Sequence, residues 1–336
     1  MVGREILTLI EERSVPYDNI QLFASENSTG ITIPFDGNEL TVQSINAREE
    51  TLFHGVDIVL LAVENRIAQS LAPRAVQAGA VVIDNSSAFR MAPEVPLVIP
   101  EINPQTIPAR GIIANPNCST IIMLMAITPI RHLFGIKRIT VSTYQAASGA
   151  GVAAMCELRD QSHDVLNEKK PTCRAFDEVC AFNVFSHNTP INKDGYNSEE
   201  RKIIAETRKI WDDPTTALTA TCMRVPVFRA HCETINLTLE KPITENDIST
   251  IREALNAFPG LVVVDDRAKN RFPTARLASG KNNIFVGRLR LDRSQMTPDH
   301  SASHGLELFV AGDQIRKGAA LNALQIAEHI INLNIA

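Results

Sequence analysis

Apolar and polar residues follow two different rhythms along this chain. In the first third, Ile6, Leu9 and Ile10 fall at helical spacing and predict a helix over 3–13. Residues 20–24 read as a strand. Residues 56–63 form an almost unbroken apolar run, the pattern of a strand covered on both sheet faces. A helix over 67–78, a buried strand over 80–84 and another over 112–114 follow. Such alternation predicts an α/β domain with a doubly wound, parallel, Rossmann-like sheet. Ligands of these sheets bind beyond the carboxyl ends of the strands, where Asn85, Ser86 and Cys118 fall.

After about residue 135 the strands become more alternating. Residues 136–144, 218–225, 233–239, 261–264 and 285–290 read as strands, with helices over 152–166, 198–211, 245–257 and 318–331. Thr244 and Asp247 resemble a capping box at the third of these helices. The polar stretch 292–303, with Pro298, reads as a loop. A second, α+β domain with a mostly antiparallel sheet is expected. The opening is unusual, because a doubly wound domain ordinarily starts with a strand and a glycine-rich turn. Here the first helix begins almost at Met1, and only Val2-Gly3 stand where that turn would end. The sheet is therefore expected to lack its first strand, with Met1 an internal methionine of a longer native chain.

Composition narrows the function classes. With 336 residues the chain has room for two domains, and 44% hydrophobic and 21% charged residues suit a globular protein. A net charge of −5 without a Lys/Arg cluster argues against nucleic acid. The longest apolar runs are too short for a bilayer, and no export signal is visible. Six scattered cysteines without a C-x-x-C pair speak against zinc and thioredoxin chemistry and for reduced thiols in a cytoplasmic protein. His300 and His304 are spaced for a metal pair, but their polar loop makes a solvated position the simpler reading, and no metal is expected.

The sharpest chemical signal is Asn115-Pro116-Asn117-Cys118-Ser119-Thr120. Asn and Pro interrupt a helix, and the apolar run 120–131 starts one. Cys118 thus sits where orphan N–H groups and the positive helix pole stabilise a thiolate. The bland alternative is a buried structural cysteine. Further specific segments are Ser142-Thr143-Tyr144-Gln145-Ala146-Ala147-Ser148-Gly149-Ala150-Gly151, Arg224-Val225-Pro226-Val227 ahead of His231 and Glu233, Gly287-Arg288-Leu289-Arg290, and Lys317-Gly318-Ala319-Ala320-Leu321-Asn322.

Together, in this order, these segments resemble the aspartate-β-semialdehyde dehydrogenase family over almost the whole chain. The resemblance implies an NADP-binding domain at 1–117 plus 315–336 and a catalytic and dimerisation domain at 118–314. It implies conversion of L-aspartyl 4-phosphate, NADPH and a proton to L-aspartate 4-semialdehyde, NADP⁺ and phosphate, in a homodimer or homotetramer. Cys118 then matches the nucleophile, which forms a thioester that accepts hydride. His231 matches the acid/base, Gln145 the residue that positions substrate, and Asn117 is placed to donate to an oxyanion. Arg224 matches the clamp on the substrate α-carboxylate, Glu199 the partner of its amino group, and Lys202 and Arg90 the phosphate contacts. Without the resemblance, Glu199 and Lys202 read as a surface ion pair three residues apart.

Departures from the family pattern gather at the cofactor end. Of the glycine-rich turn only Gly3 remains, and Asn27 stands where members that prefer NADP often carry Arg. Ser25, Ser28 and Thr29 offer hydroxyls to a 2′-phosphate, which Glu26 would repel if it points inward. Asn85, Ser86, Ser148, Gly149 and Asn322 complete the candidate cofactor contacts. Two rivals stand beside this reading: a reductase of another acyl phosphate such as N-acetylglutamyl phosphate, and a non-catalytic paralogue serving as a binding subunit. Glu199 argues against the first, since an acetylated nitrogen carries no charge to pair. Cys118 with His231 and Gln145 argues against the second.

Overall fold

The structure, a computed structural model, describes residues 1–45 and 51–335. The chain forms two compact units: Met1–Pro100, Pro104–Asn115 and Ala320–Ala336 make unit 1, and Glu101–Asn103 with Pro116–Ala319 make unit 2.

Unit 1 opens with helix α1 (Val2–Arg13), which buries Ile6, Leu7, Leu9 and Ile10. These pack on Leu321 and Leu324 of the C-terminal helix Leu321–Ile335. Arg13 grips Glu328 of that helix with Nε and Nη2 at 2.6 and 2.7 Å. Strand β1 (Leu22–Ala24) is followed by β2 (Thr32–Phe35) and β3 (Asn38–Ser44), a hairpin that the sequence reading does not place. Its signal is nonetheless present. Asp36 and Gly37 both have positive φ, 47° and 72°, the conformation of a two-residue hairpin turn. β1 pairs in parallel with β3, so it lies in a small sheet of order β1-β3-β2.

The predicted parallel core is a second sheet, of order β4-β5-β6. It comprises β4 (Ile58–Leu61), β5 (Val81–Asp84) and β6 (Gly111–Ala114), with helix α2 (Asn65–Gln77) crossing between the first two. Among the described residues no strand precedes α1. At the carboxyl ends of the strands a chain of buried amides runs from Asn322 Nδ2 to Asn115 Oδ1 (2.7 Å), and from Asn115 Nδ2 to Asn85 Oδ1 (3.0 Å).

Unit 2 is built on a seven-stranded sheet of order β11-β12-β13-β10-β7-β9-β8, with four of its six pairings antiparallel as expected. Its strands are β7 (Ile136–Gln145), β8 (Phe185–Ser186), β9 (Ala217–Arg224), β10 (His231–Ile243), β11 (Leu261–Val263), β12 (Ile284–Leu291) and β13 (Ser303–Gly312). The sequence reading misses β13 and the short β8. Its helices are α3 (Cys118–Phe134), α4 (Val152–Leu166), α5 (Ser198–Ile210), α6 (Asp247–Ala257) and the single turn α7 (Ala275–Ala278). Helix α3 is apolar all round and almost wholly buried, as a helix laid across a sheet must be. It packs on β7, β10, β12 and β13, while α5 covers β9.

The expected capping box at α6 forms only in part. The Asp247 carboxylate accepts from both the N–H and the hydroxyl of Thr244 at 2.7 Å, so the threonine oxygen does not cap, and Asn246 is the N-cap. A complete box sits instead at α5, between Asn197 and Glu200. The expected helix over 318–331 opens as a π-turn, Arg316–Ala320, before the α-helix proper.

Candidate active site

Strand register explains why distant residues meet in unit 2. Gln145 at the end of β7 lies opposite Arg224 at the end of the parallel strand β9. On the other side of β7, β10 runs antiparallel with Cys232 opposite Tyr144, so His231 falls one step further on, beside Gln145. His231, Gln145 and Arg224 therefore form one row on the buried face of the sheet, each at 2% exposure or less. The next row inward is Glu233, Thr143 and Cys222.

Helix α3 begins above this face at Cys118. Asn117 is its N-cap, and Oδ1 accepts from the N–H groups of Ser119 (2.9 Å) and Thr120 (3.3 Å). The Asn117 N–H donates to Glu206 Oε2 at 2.6 Å, and its Nδ2 donates to Glu199 Oε1 at 2.7 Å. Gln145 Nε2 donates to Ser119 Oγ (2.7 Å) and Glu199 Oε1 (3.2 Å). Lys202 Nζ lies 3.1 Å from Glu199 Oε2. Burial raises the Glu199 carboxyl, but Lys202, His187 and the amides of Asn117 and Gln145 outweigh it and hold the group at about 2. Glu199 is therefore a buried carboxylate inside a network, not half of a surface pair.

Arg224 is oriented on three sides. Its Nη1 donates to the Ala146 carbonyl (2.7 Å), Nη2 meets His187 Nε2 (2.8 Å) and Asn188 Oδ1 (3.3 Å), and the guanidinium carbon lies 5.2 Å from the centre of the Phe176 ring. Its buried Nε has no hydrogen-bond partner among the described residues. The N–H of the same Ala146 donates to His231 Nδ1 at 3.0 Å. Burial, then Arg224, lowers His231 to about 3, and burial lowers His187 to about 4. Among the described residues neither carboxyl oxygen of Glu233 has a hydrogen-bond partner, and burial pushes it well above the usual carboxylate range.

Two glycines shape this space. A Cβ at Gly149 would stand 3.3 Å from His231 Nε2 and 3.4 Å from Arg224 Nη1. A Cβ at Gly318, in the π-turn, would stand 2.9 Å from Cys118 Cβ, so the turn lies directly against the thiol-bearing residue. The adjacent Lys317, almost fully buried, pairs with Glu101 at 2.6 Å.

Cys118, Asn117, Gln145, Glu199, Lys202, Arg224 and His231 thus belong to one unit and one network of contacts and fields. Cys118 joins it through the chain, as the residue between Asn117 and Ser119, whose side chains bond Glu199 and Gln145. Ser148 and Gly149 lie in the same unit, with Ser148 Oγ accepting from Gln314. Arg90 belongs to unit 1, where Nη2 donates to the Asn85 carbonyl at 2.9 Å. Asn85, Ser86 and Asn322 are also in unit 1, the Ser86 hydroxyl donating to Asp84. Ser25 and Thr29 flank the 3₁₀ turn Glu26–Ser28 after β1, Ser28 ends it, and Glu26 is exposed. The first turn of α1 has no side-chain cap, and a Cβ at Gly3 would meet nothing within 4 Å. Such an opening suits a pyrophosphate. Among the described residues no cluster of metal-ligating side chains occurs, and none of the six cysteines is bridged.

Sequence reasoning misses Glu206, His187, Ser119 and Gln314. Glu206 left a signal: it sits seven residues after Glu199, in the stripe of Ile203 and Ile210 that α5 buries. His187 left none, since it lies at the end of a two-residue strand.

Comparison with known proteins gives the family. Residues 1–109 match the semialdehyde dehydrogenase NAD binding domain, and residues 127–317 the semialdehyde dehydrogenase dimerisation domain. The aspartate-semialdehyde dehydrogenase of Synechocystis is 46% identical over 98% of this chain and 94% of its own length, and that of Aquifex aeolicus 44% over 98% and 95%. The crystal structure of aspartate semialdehyde dehydrogenase II from Vibrio cholerae complexed with ASA superposes with a TM-score of 0.91 at 40% identity, covering 98% of this chain and 95% of that one. With both domains in order and relatives of this closeness along its length, the chain belongs to the aspartate-semialdehyde dehydrogenase family.

Proposed function

We propose that this chain reduces L-aspartyl 4-phosphate to L-aspartate 4-semialdehyde and phosphate, as the names of its relatives suggest. The step feeds lysine (through diaminopimelate), threonine and methionine synthesis. The observation that carries the reading is the Cys118 helix start, tied through Asn117 and Ser119 to Glu199 and Gln145. Cys118 attacks the acyl carbon, phosphate leaves, and a thioester remains on sulfur. Bound nicotinamide supplies the hydride that reduces it. Arg224 takes the substrate α-carboxylate, with Nε available for it. Glu199 takes the ammonium. Lys202, with its side chain 34% exposed, is then released to meet the phosphate, and Arg90 stays the phosphate contact that the family resemblance implies.

We assign NADP as the nucleotide, with its pyrophosphate at Gly3 and the α1 N-terminus. The hydroxyls of Ser25, Ser28 and Thr29 serve the 2′-phosphate. The dimerisation domain supports an oligomer, which we take to be a homodimer. An N-acetylated substrate would bring no ammonium for the buried, ionised Glu199 to accept from, which disfavours that rival. The test is phosphate-dependent formation of NADPH from aspartate semialdehyde. Activity is expected for the wild type and absent in Cys118→Ala, and turnover surviving in that variant overturns the nucleophile.

A further inference from the structure

Between α4 and β8 the chain forms no helix or strand, yet it buries Phe176, Cys180 and Ala181. Buried backbone of this kind must find partners for its N–H groups outside any ladder. Five of them go to two side chains of α4, Glu157 and Gln161, which stand one helical turn apart on the same face. The Glu157 carboxylate accepts from the N–H groups of Arg174 and Ala175 at 2.6 Å each and of Phe176 at 3.3 Å. Gln161 Oε1 accepts from Cys180 (2.8 Å) and Ala181 (3.2 Å). Gln161 Nε2 donates to the Thr172 carbonyl at 2.9 Å and to Glu157 Oε1 at 3.2 Å, which joins the two side chains into one clasp.

What the clasp seats is Phe176. The Arg224 guanidinium lies over its ring, and Phe185 meets the same ring edge-on at 5.9 Å and 73°. Phe185 in turn stands opposite Arg224 in the β8–β9 pairing. Hydrogen bonds fix Nη1 and Nη2 of Arg224, and the aromatic face adds a wall on which the cation rests. The chemistry at residue 157 is specific. Three N–H groups converge on one carboxylate, which has acceptors only, whereas an amide there would turn its own N–H₂ towards one of them.

Resting on the function proposed above, we propose that Glu157, together with Gln161, is a positioning residue for recognition of the substrate α-carboxylate. The clasp sets the 172–181 segment, the segment seats Phe176 against Arg224, and Arg224 receives the carboxylate. Glu157 itself is spent on backbone N–H groups and touches no reacting atom. Leucine at 176 fills the same apolar space but has no negative face for the guanidinium, so it separates filling from stacking. A clasp that merely folded the segment would bear on stability and on all substrates alike. One that aims Arg224 bears on the carboxylate in particular.

The test compares aspartate semialdehyde with 3-aminopropanal, which keeps the amine and the aldehyde and lacks the carboxylate. In phosphate-dependent NADPH formation, Glu157→Gln and Phe176→Leu should each raise KM for aspartate semialdehyde about 10-fold with kcat within about 3-fold, and leave kcat/KM for 3-aminopropanal within about 2-fold of wild type. The double variant should lose no more than the worse single one. Equal losses on the two aldehydes, additive losses or an unchanged preference overturn the proposal. Where Glu157→Gln does not fold, Gln161→Ala, which drops the bonds to Cys180 and Ala181 and keeps the carboxylate, carries the same expectations. A second readout needs no turnover. The side-chain protons of Arg224, assigned with Arg224→Lys, should be shifted upfield by the Phe176 ring in wild type and return towards ordinary values in Glu157→Gln and Phe176→Leu alike. Resonances that stay in place in Glu157→Gln overturn the clasp. If wild type turns over neither aldehyde, the proposed function fails; in that case, or if only the carboxylate-bearing aldehyde reacts, the Arg224 resonances decide whether Glu157 holds Phe176 in place.

Discussion

Two helices of this chain start in opposite ways. Helix α3 begins buried, capped by Asn117, with Cys118 in its first turn and Gly318 pressed against that residue. Helix α1 begins exposed, with no side-chain cap and with open space around Gly3. Both put the positive pole of the helix dipole at their first turn. At α3 the Asn117 side chain takes the N–H groups of Ser119 and Thr120. At α1 no side chain caps the first turn. On the reading proposed above, one local motif serves covalent chemistry where a cap closes it and anion recognition where none does.

The strongest way to break this comparison is to remove the sulfur. Cys118→Ala should lower kcat by at least ~10³-fold with little change in thermal midpoint, because alanine suits a helix start that Asn117 still caps. A variant that unfolds would make Cys118 structural. Next comes the seat of the sulfur. Gly318→Ala places a Cβ 2.9 Å from Cys118 Cβ, so the π-turn or the cysteine must shift. A displacement well under 1 Å should lower kcat by roughly 10-fold, approaching ~10²-fold for a full ångström, with cofactor affinity unchanged in direct binding.

Acid should separate the charged network of unit 2 from the amide chain of unit 1. His187 and His231 are depressed to about 4 and about 3, so their contribution is complete above the unfolded value near 6.5 and is lost as pH falls through that window. Glu199, held at about 2, adds a loss that begins below about 4.5. Glu233 works in the other direction: its raised value contributes stability below about 4.5 that is lost as pH rises. The opposing slopes partly cancel from pH 6.5 to 4.5. Glu233→Gln should uncover a steeper acid loss there, on the order of 1–3 kcal/mol by denaturant titration. An unchanged slope would mean that Glu233 is ionised.

Smaller effects are expected at the caps themselves. Asn117→Ala should cost about 1–2 kcal/mol of stability, read from the denaturation midpoint. Gly3→Ala should do the reverse, adding about 0.5–1 kcal/mol to α1 while raising KM for the nucleotide. Tighter cofactor binding in that variant would remove the pyrophosphate from α1.

Much of the frame was legible because periodicity reports burial directly. The run 56–63 and the helix 152–166 announce β4 and α4, and the Asn-Pro-Asn-Cys step marks the start of α3. The β2–β3 hairpin was equally legible in Asp36-Gly37 but lies among exposed residues with a weak apolar pattern. β13 was obscured by polar and glycine residues at its start, Ser303, His304 and Gly305. At the site, the helix start singled out Cys118 and the family resemblance Arg224 and His231, but the meeting of Gln145, Arg224 and His231 depends on register across β10, β7 and β9, which one strand at a time does not reveal. His187 and Gln314 were invisible for the same reason, since each acts through a partner more than 30 residues away in sequence.

The backbone of Ala146 touches guanidinium with its carbonyl oxygen and imidazole with its amide hydrogen. Its methyl group is incidental, so most codon changes at this position leave that bridge in place and merely crowd a buried spot. Proline alone abolishes the hydrogen while matching the local φ of −66°, though its ring carbon would then occupy the hydrogen's place. Two side chains from different strands are in this way tethered by a part of the molecule that ordinary point mutation scarcely reaches, and drift at residue 146 is filtered by size alone.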